Sequence, residues 1–199
     1  MDYAIQDLVE QDIPRAAHPL FQHLLDTYAS ETNKTASVWR ELRDDQLEFR
    51  PHAKSSTVRE ILQHQILSER RFFAEFIGLA EPLAAQLLPP GDTPPVSAYV
   101  ERFVALARPR LAALADRDES YWMAMVPFFD VERERIWVFW RRVLHSAHHR
   151  AQVSVFLRLL EDRVPPTYGP SADVSWSGAD PTRTIAAAER RGPSSAQCG

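Results

Sequence analysis

The sequence has few of the features that mark disulfide-bonded, nucleic-acid-binding or membrane proteins. It has one cysteine, Cys198, which can form neither an internal disulfide nor a Cys-X-X-Cys zinc motif. Its formal net charge of −4 leaves no excess of positive charge to neutralise phosphates, so we expect no nucleic-acid partner. Its apolar runs are far shorter than the roughly 20 residues that span a bilayer, so we expect no membrane partner. A reducing cytoplasm fits this composition, and we expect a cytoplasmic location.

The features that are present are typical of a soluble globular protein. Hydrophobic residues make up 45% of the chain and charged residues 25%, and a chain of 199 residues can bury a full core. The N-terminal stretch MDYAIQDLVEQDIP has no basic flank and no apolar run, so we expect no signal peptide. The composition predicts one domain over residues 1–173 and a partly ordered C-terminal tail, rich in Ser, Ala, Gly and Arg, over residues 174–199.

Hydrophobic periodicity and helix-boundary signals predict four long helices. They cover about residues 14–42, 57–78, 95–116 and 131–162. Thr57 and Glu60 form a capping box at the start of the second helix, and Gly78 marks its end. Pro109 predicts a kink or a break in the third helix. Since no segment shows a convincing strand alternation, the sequence predicts an all-α fold, and four long helices with short connections favour a four-helix bundle.

Three of the seven histidines lie in one short stretch, HSAHHRAQ at residues 145–152. A bundle helix buries side chains at an average spacing of about 3.5 residues, which defines a core stripe on the fourth helix. The stripe comprises Val138, Arg142, His145, His149, Gln152, Phe156 and Leu159. His145 and His149 are therefore predicted on the core face, and His148 on its flank. Residues four apart have Cβ atoms about 5–6 Å from each other, which lets two imidazoles converge on one metal ion.

Two ligands are too few for a tight metal site, and the remaining histidines are the candidates for a third. They are His18, His23, His52 and His64. His64 ranks first because it lies in the middle of the second helix, where a neighbouring helix can place it opposite the pair. Glu69 is a competing ligand or a supporting residue. The alternative is that the histidines are structural or solvated, although a buried imidazole pair costs free energy unless something satisfies it.

Four stretches of the sequence resemble the DinB/YfiT-like superfamily over about residues 15–173. They are LRDDQLEFRPHAKSS at 42–56, STVREILQH at 56–64, HSAHHRAQ at 145–152 and VPPTYGPSAD at 164–173. The resemblance implies an up-and-down four-helix bundle, often a homodimer, with a divalent metal held by three histidines. The family's histidine motifs match His64, His145 and His149, and this chain has Ala151 where the family usually has Gly.

The resemblance implies less about the reaction. Characterised members include thiol-dependent S-transferases and isomerases that use bacterial low-molecular-weight thiols, and many others are assigned only as metal-dependent hydrolases. We therefore expect a metal-dependent transferase or hydrolase of a small-molecule substrate, with zinc or nickel favoured over iron or manganese. The alternative is a non-catalytic metal- or ligand-binding dimer, or a structural dimer whose histidines bind nothing.

Five polar residues are candidates to line the pocket or to support the ligands. They are Thr32, Thr35, Glu69, Arg142 and Gln152. Glu69 and Gln152 could orient a ligand or relay a proton, and Arg142 could face an anionic substrate or form a solvated edge. A structural bundle has little reason to place such groups on core stripes, because each costs about 1–3 kcal/mol if it is buried and unpaired. Three neutral imidazoles leave an open coordination position, which is the pattern of catalytic rather than structural zinc.

Overall fold

Four long helices and one short helix form most of the structure. The computed structural model describes residues 7–169 and 171–173. The helices are α1 (Gln22–Arg40), α2 (Val58–Arg71), α3 (Val96–Ala115), α4 (Glu119–Met123) and α5 (Arg135–Leu159). Short 3-10 turns occur at Glu10–Asp12, Pro19–Phe21, Asp44–Gln46 and Ala84–Gln86. The four long helices correspond to the four predicted ones, so the prediction of a mostly helical fold is confirmed.

The hydrophobic core lies between the four long helices. α1 packs against α3 and α5, and α2 packs against α5 and, less extensively, against α3. The most deeply buried aromatic side chains include Trp39, Phe73, Tyr99, Phe103 and Phe139. Because each aromatic side chain buries a large apolar area, this core supplies much of the stabilisation of the fold. The up-and-down order of a four-helix bundle stays a prediction.

Local sequence signals determine the two ends of the second helical segment. The Thr57 side chain accepts a hydrogen bond from the Glu60 backbone N–H (3.1 Å), and the Glu60 carboxylate accepts one from the Thr57 N–H (2.8 Å). This is the predicted capping box. Beyond α2 the chain continues through a π-helical turn, Phe72–Ile77, and the segment ends at Gly78. The φ angle of Gly78 is 83°, a left-handed conformation that glycine adopts at little cost.

A two-stranded antiparallel sheet lies where the sequence predicted a loop and the start of the fourth helix. β1 (Met125–Phe128) pairs with β2 (Val131–Glu134), and α5 therefore begins at Arg135 rather than at Val131. The all-α prediction is wrong in this segment. Phe129, the first of the two residues that connect the strands, has a φ angle of 54°, which is unusual for a residue with a bulky side chain.

Three further expectations concern the third helix, the tail and the membrane. Pro109 lies inside α3 without ending it, so of the predicted kink or break the break does not occur, and the kink stays a prediction. The predicted tail, residues 174–199, lies outside the described residues. Among the helices that the structure describes, none combines the length and the apolar character that a membrane crossing requires.

Candidate metal centre

His64 on α2 and the pair His145 and His149 on α5 come together where these two helices meet. One ring nitrogen from each residue lies within 4.8 Å of those of the other two. The Nε2 atoms of His145 and His149 are 3.3 Å apart. Two nitrogens that bind one tetrahedral zinc ion at 2.0–2.1 Å are about 3.4 Å from each other. The pair therefore already has the separation that a shared ion requires.

The histidine cluster, formed by His64, His145 and His149, lies at the edge of the core. His64 is exposed, and His145 and His149 are partly buried. The core-stripe prediction therefore placed the pair on the correct face of α5 but too deep, and it was wrong for Leu159, which is exposed. A site at this depth is accessible to small molecules from solvent, which a catalytic centre requires.

Gln152 contacts the cluster from the next turn of α5. Its Oε1 atom is 2.8 Å from Nδ1 of His149. Since an amide oxygen only accepts, Nδ1 of His149 carries the hydrogen and donates it, which leaves a lone pair on Nε2. Metal-binding histidines commonly donate their second ring N–H in this way. Gln152 is therefore placed to orient His149 as a ligand.

Arg142 contacts the cluster from the preceding turn of α5. Its Nη1 atom is 3.0 Å from Nδ1 of His145. Since a guanidinium only donates, Nδ1 accepts, and the proton of the neutral ring lies on Nε2. An ion at Nε2 requires this proton to move to Nδ1 and Arg142 to turn away from it. Arg142 has other acceptors within reach, namely Ser68 Oγ (2.8 Å), Ser146 Oγ (3.0 Å) and the Gln65 carbonyl (3.3 Å).

The surroundings of the cluster favour the neutral form of all three imidazoles. Burial, and after it the positive charge of Arg142, lowers the pKa of His64 below its ordinary value and lowers the pKa of His145 to about 3. Burial also lowers the pKa of His149, and the hydrogen bond to Gln152 opposes this shift. Neutral imidazole is the form that binds a metal ion, so the donor set fits a divalent cation.

Two of the predicted pocket residues, Thr32 and Glu69, line a cavity in the helical core instead of the cluster. The cavity has a volume of about 10 Å³, and Tyr28 and Arg142 also line it. Thr32 Oγ1 donates to the Tyr28 carbonyl (2.8 Å), and Glu69 Oε2 is 3.4 Å from Nη1 of Arg110 on α3. Glu69 is therefore not brought to the cluster as a ligand. Arg142 lines the cavity and also contacts His145.

Thr35 belongs to a separate polar network that was not predicted from the sequence. Its Oγ1 atom is 3.4 Å from Nη1 of Arg150, and the same Nη1 is 2.8 Å from Oε2 of Glu31. The Tyr168 hydroxyl donates to this Glu31 oxygen (2.6 Å). Arg150 and Tyr168 lie in two of the stretches that resemble the family. Their polar side chains in those stretches could have identified them as candidate functional residues. Nothing in the α1 sequence indicated Glu31 as their shared partner.

The four other histidines do not join the cluster. His18 and His52 each accept a hydrogen bond from the backbone N–H two residues further on (3.3 and 3.1 Å). His23 Nδ1 is 2.7 Å from a backbone carbonyl oxygen of the preceding turn. His148 is exposed, with its ring centroid 5.0 Å from that of His149. These positions agree with the structural or solvated roles expected for them.

Two solved structures are similar to the chain: a DinB-like protein from Bacillus cereus (17% identity, TM-score 0.60, 73% of this chain and 95% of that one) and a DinB-like protein, YjoA, from Bacillus subtilis (16% identity, TM-score 0.56, 73% and 96%). At this identity the likeness shows a shared fold. No curated protein matches the chain. The DinB family model matches residues 15–180, and the chain belongs to the DinB family.

Proposed function

We propose that this protein is a divalent-metal-dependent enzyme in which His64, His145 and His149 hold one ion. The main support for the proposal is that one ring nitrogen from each of these three neutral imidazoles lies within 4.8 Å of the other two. Membership of the DinB family supports it. Three protein ligands leave a coordination position for water or substrate, as in catalytic zinc sites. Imidazole suits zinc and nickel, which we favour over iron and manganese.

The charge of the site favours an anionic ligand at the open position. Among the described residues no carboxylate joins the three imidazoles, so nothing in the ligand set offsets the charge of a divalent ion. A bound ion would lower the pKa of a thiol or of a water at this position and supply a thiolate or a hydroxide. We therefore propose a thiol-dependent S-transferase or a hydrolase of a small molecule. Gln152 orients His149 in either reaction.

Replacement of His149 tests the ligand set, with His148→Ala as the matched control. Protein purified without a histidine tag should hold about one ion per chain, and His149→Ala should lose it after dialysis, because two imidazoles bind an ion weakly. His148→Ala should keep the ion. Elemental analysis measures both. Loss of metal from His148→Ala but not from His149→Ala would show that the ligand set is wrong, and wild-type protein that takes up no metal would favour the structural dimer.

A thiol titration of cobalt-substituted protein separates the two reactions. If the open position takes a thiolate, low-molecular-weight thiols should produce a sulfur-to-cobalt charge-transfer band, because a soft thiolate is a good ligand for this site. His148→Ala should give the same band. The absence of a band with each of several physiological thiols would exclude the transferase and leave hydrolysis, tested with ester and amide substrates. Binding without turnover in both assays would favour the non-catalytic alternative.

A further inference from the structure

Two buried side chains of opposite charge face the cavity in the helical core without direct contact. Glu69 on α2 is 2% exposed and Arg142 on α5 is 1% exposed, and both line the cavity. The ion pairs among the described residues join Glu69 to Arg110 and include none between Glu69 and Arg142. Each of these two buried charges requires a compensating charge nearby.

Arg142 has no charged hydrogen-bond partner in the described part of the chain. Its Nη1 and Nη2 atoms bond to two serine hydroxyls, one backbone carbonyl and the His145 ring. Its Nε atom is buried and has no hydrogen-bond partner among the described residues. A buried guanidinium is costly unless it is both paired and hydrogen-bonded, so a counter-ion and an acceptor for Nε are expected.

Arg110, the ion-pair partner of Glu69, is already neutralised by another carboxylate. Its Nε and Nη2 atoms each donate to Glu81 at 2.7 Å, and its Nη1 donates to the Tyr28 hydroxyl at 3.3 Å. Glu69 Oε2 lies 3.4 Å from Nη1 but has no hydrogen-bond partner among the described residues. Glu81 compensates the charge of Arg110. The charge of Arg142 is therefore balanced only if Glu69 compensates it.

We propose that one water molecule occupies the cavity and bridges Oε2 of Glu69 to Nε of Arg142. A volume of about 10 Å³ admits about one water. A water accepts from Nε, donates to Oε2, and so satisfies both buried atoms at once. Buried atoms without a hydrogen-bond partner also occur on Trp39, Gln65, Trp122 and Arg135, but these residues do not line the cavity. The proposal rests on one buried atom without a hydrogen-bond partner on each of two oppositely charged side chains, together with a water-sized space that both side chains line.

The bridge makes Glu69 a positioning residue of the metal site, and this part rests on the proposed function. Arg142 contacts His145, so an uncompensated guanidinium would repel an ion bound at the cluster. Glu69 offsets that charge through the water and holds the guanidinium near the two serine hydroxyls. Metal binding should therefore be favoured by Glu69 and opposed by Arg142.

The water and the pairing can be tested without any metal. A high-resolution crystal structure should show an ordered water within hydrogen-bond distance of both atoms, and a dry cavity would overturn the proposal. In a double-mutant cycle on urea unfolding, Glu69→Gln and Arg142→Met should be coupled by about 10-fold or more in the unfolding equilibrium constant. Glu81→Gln and Arg142→Met should be additive within about 3-fold, because Glu81 serves Arg110. Equal coupling in both cycles would contradict the pairing.

Zinc affinity tests the positioning role. Glu69→Gln should weaken zinc binding about 10-fold, as loss of a supporting group commonly does. The matched control, Glu81→Gln, removes an equal charge and should change the affinity by less than about 3-fold, and Arg142→Met should strengthen binding. Equal effects of the two glutamate variants would overturn the positioning role. If wild-type protein binds no zinc, the proposed function fails, whereas the bridge itself is decided by the crystallographic water and the unfolding cycles.

Discussion

Neutral imidazole binds metal ions, and in this protein burial together with single neighbours determines how far the neutral form persists on acidification. Burial is the largest cause of the lowered pKa of all three cluster histidines. The Arg142 charge adds to it at His64 and His145, and the His145 pKa reaches about 3. At His149 the Gln152 hydrogen bond acts in the opposite direction. The residues that position the ligands therefore also determine their protonation.

Metal affinity should be unusually resistant to acid. Protons compete with the ion for each ring, so affinity is complete above the pKa values and falls as the pH drops through them. For three imidazoles with the ordinary pKa of about 6.5, affinity would fall roughly 1000-fold between pH 7.5 and 5.5. Because all three pKa values are lowered here, we expect a fall well below about 100-fold. Zinc competition with a chromophoric chelator, corrected for chelator protonation, measures this.

An Arg142→Met variant is the internal control for that measurement. Removal of the positive charge should raise the pKa of His145 and make the pH dependence of zinc affinity steeper. A 1000-fold fall in the wild-type protein would show that its imidazoles titrate in the ordinary range. An unchanged His145 pKa in the variant, measured by NMR titration, would show that Arg142 has no part in the shift.

The sequence predicted correctly the site residues that lie close together because they are on the same helix. The spacing of His145, His149 and Gln152 along α5 is a property of that helix alone, and the structure brings all three together. Position along the second helix ranked His64 first, but the choice of His64 over Glu69 needed the family motif, because contacts between helices depend on their rotation and crossing. For the same reason the sequence did not predict that Glu69 lies next to Arg110, which is on α3. Spacing within α2 does not contain that information.

At the level of elements, the long helices could be predicted because their signals are local and repeated. α2 shows this most directly, since the capping box at its start and the glycine at its end are both present in the structure. Helix periodicity accumulates over many residues, so an error at one position does not change the result. Only the boundaries of such elements are uncertain by a few residues.

The β-hairpin could not be predicted for two physical reasons. Each strand has four residues, too few for an alternating pattern to stand out, and β1 contains Pro127. The turn also lacks the usual sequence signal. Its first connecting residue, Phe129, has a φ angle of 54°, at a position where glycine or asparagine is normally found. Pairing of the strands therefore overrides the local preference of the chain.

At the level of the whole molecule, a buried network joins three separate parts of the chain. Arg150 on α5 forms an ion pair with Glu31 on α1 (2.8 Å), and Tyr168, from the segment after α5, donates to the same carboxylate (2.6 Å). Removal of Glu31 would leave the buried Arg150 guanidinium without a carboxylate partner among the described residues, which is strongly destabilising. The network holds α1 against α5, the helix that carries two of the three cluster histidines.

An exposed apolar stripe on α5 indicates how a homodimer would form. Residues on the stripe are spaced by three or four: Trp137, Arg141, Leu144, His148, Ala151, Val155 and Leu159, and all of them are exposed. This is the spacing of a helix seam that pairs with another helix. The stripe is nearly symmetric about His148, so two antiparallel copies would place Trp137 near Leu159 of the partner subunit. We therefore propose a homodimer in which α5 packs against its own copy.

A Leu144→Glu substitution tests this interface. In a two-fold symmetric dimer each residue of the seam occurs twice, so one substitution buries two carboxylates and should dissociate the dimer. By light scattering coupled to gel filtration, wild-type protein should have twice the chain mass of 22.7 kDa, and Leu144→Glu should have the single mass. Leu83→Glu is the matched control, because Leu83 is an equally exposed leucine outside α5 and should leave the dimer intact. Wild-type protein at the single mass would exclude the homodimer, and a Leu144→Glu protein that stays dimeric would place the interface elsewhere.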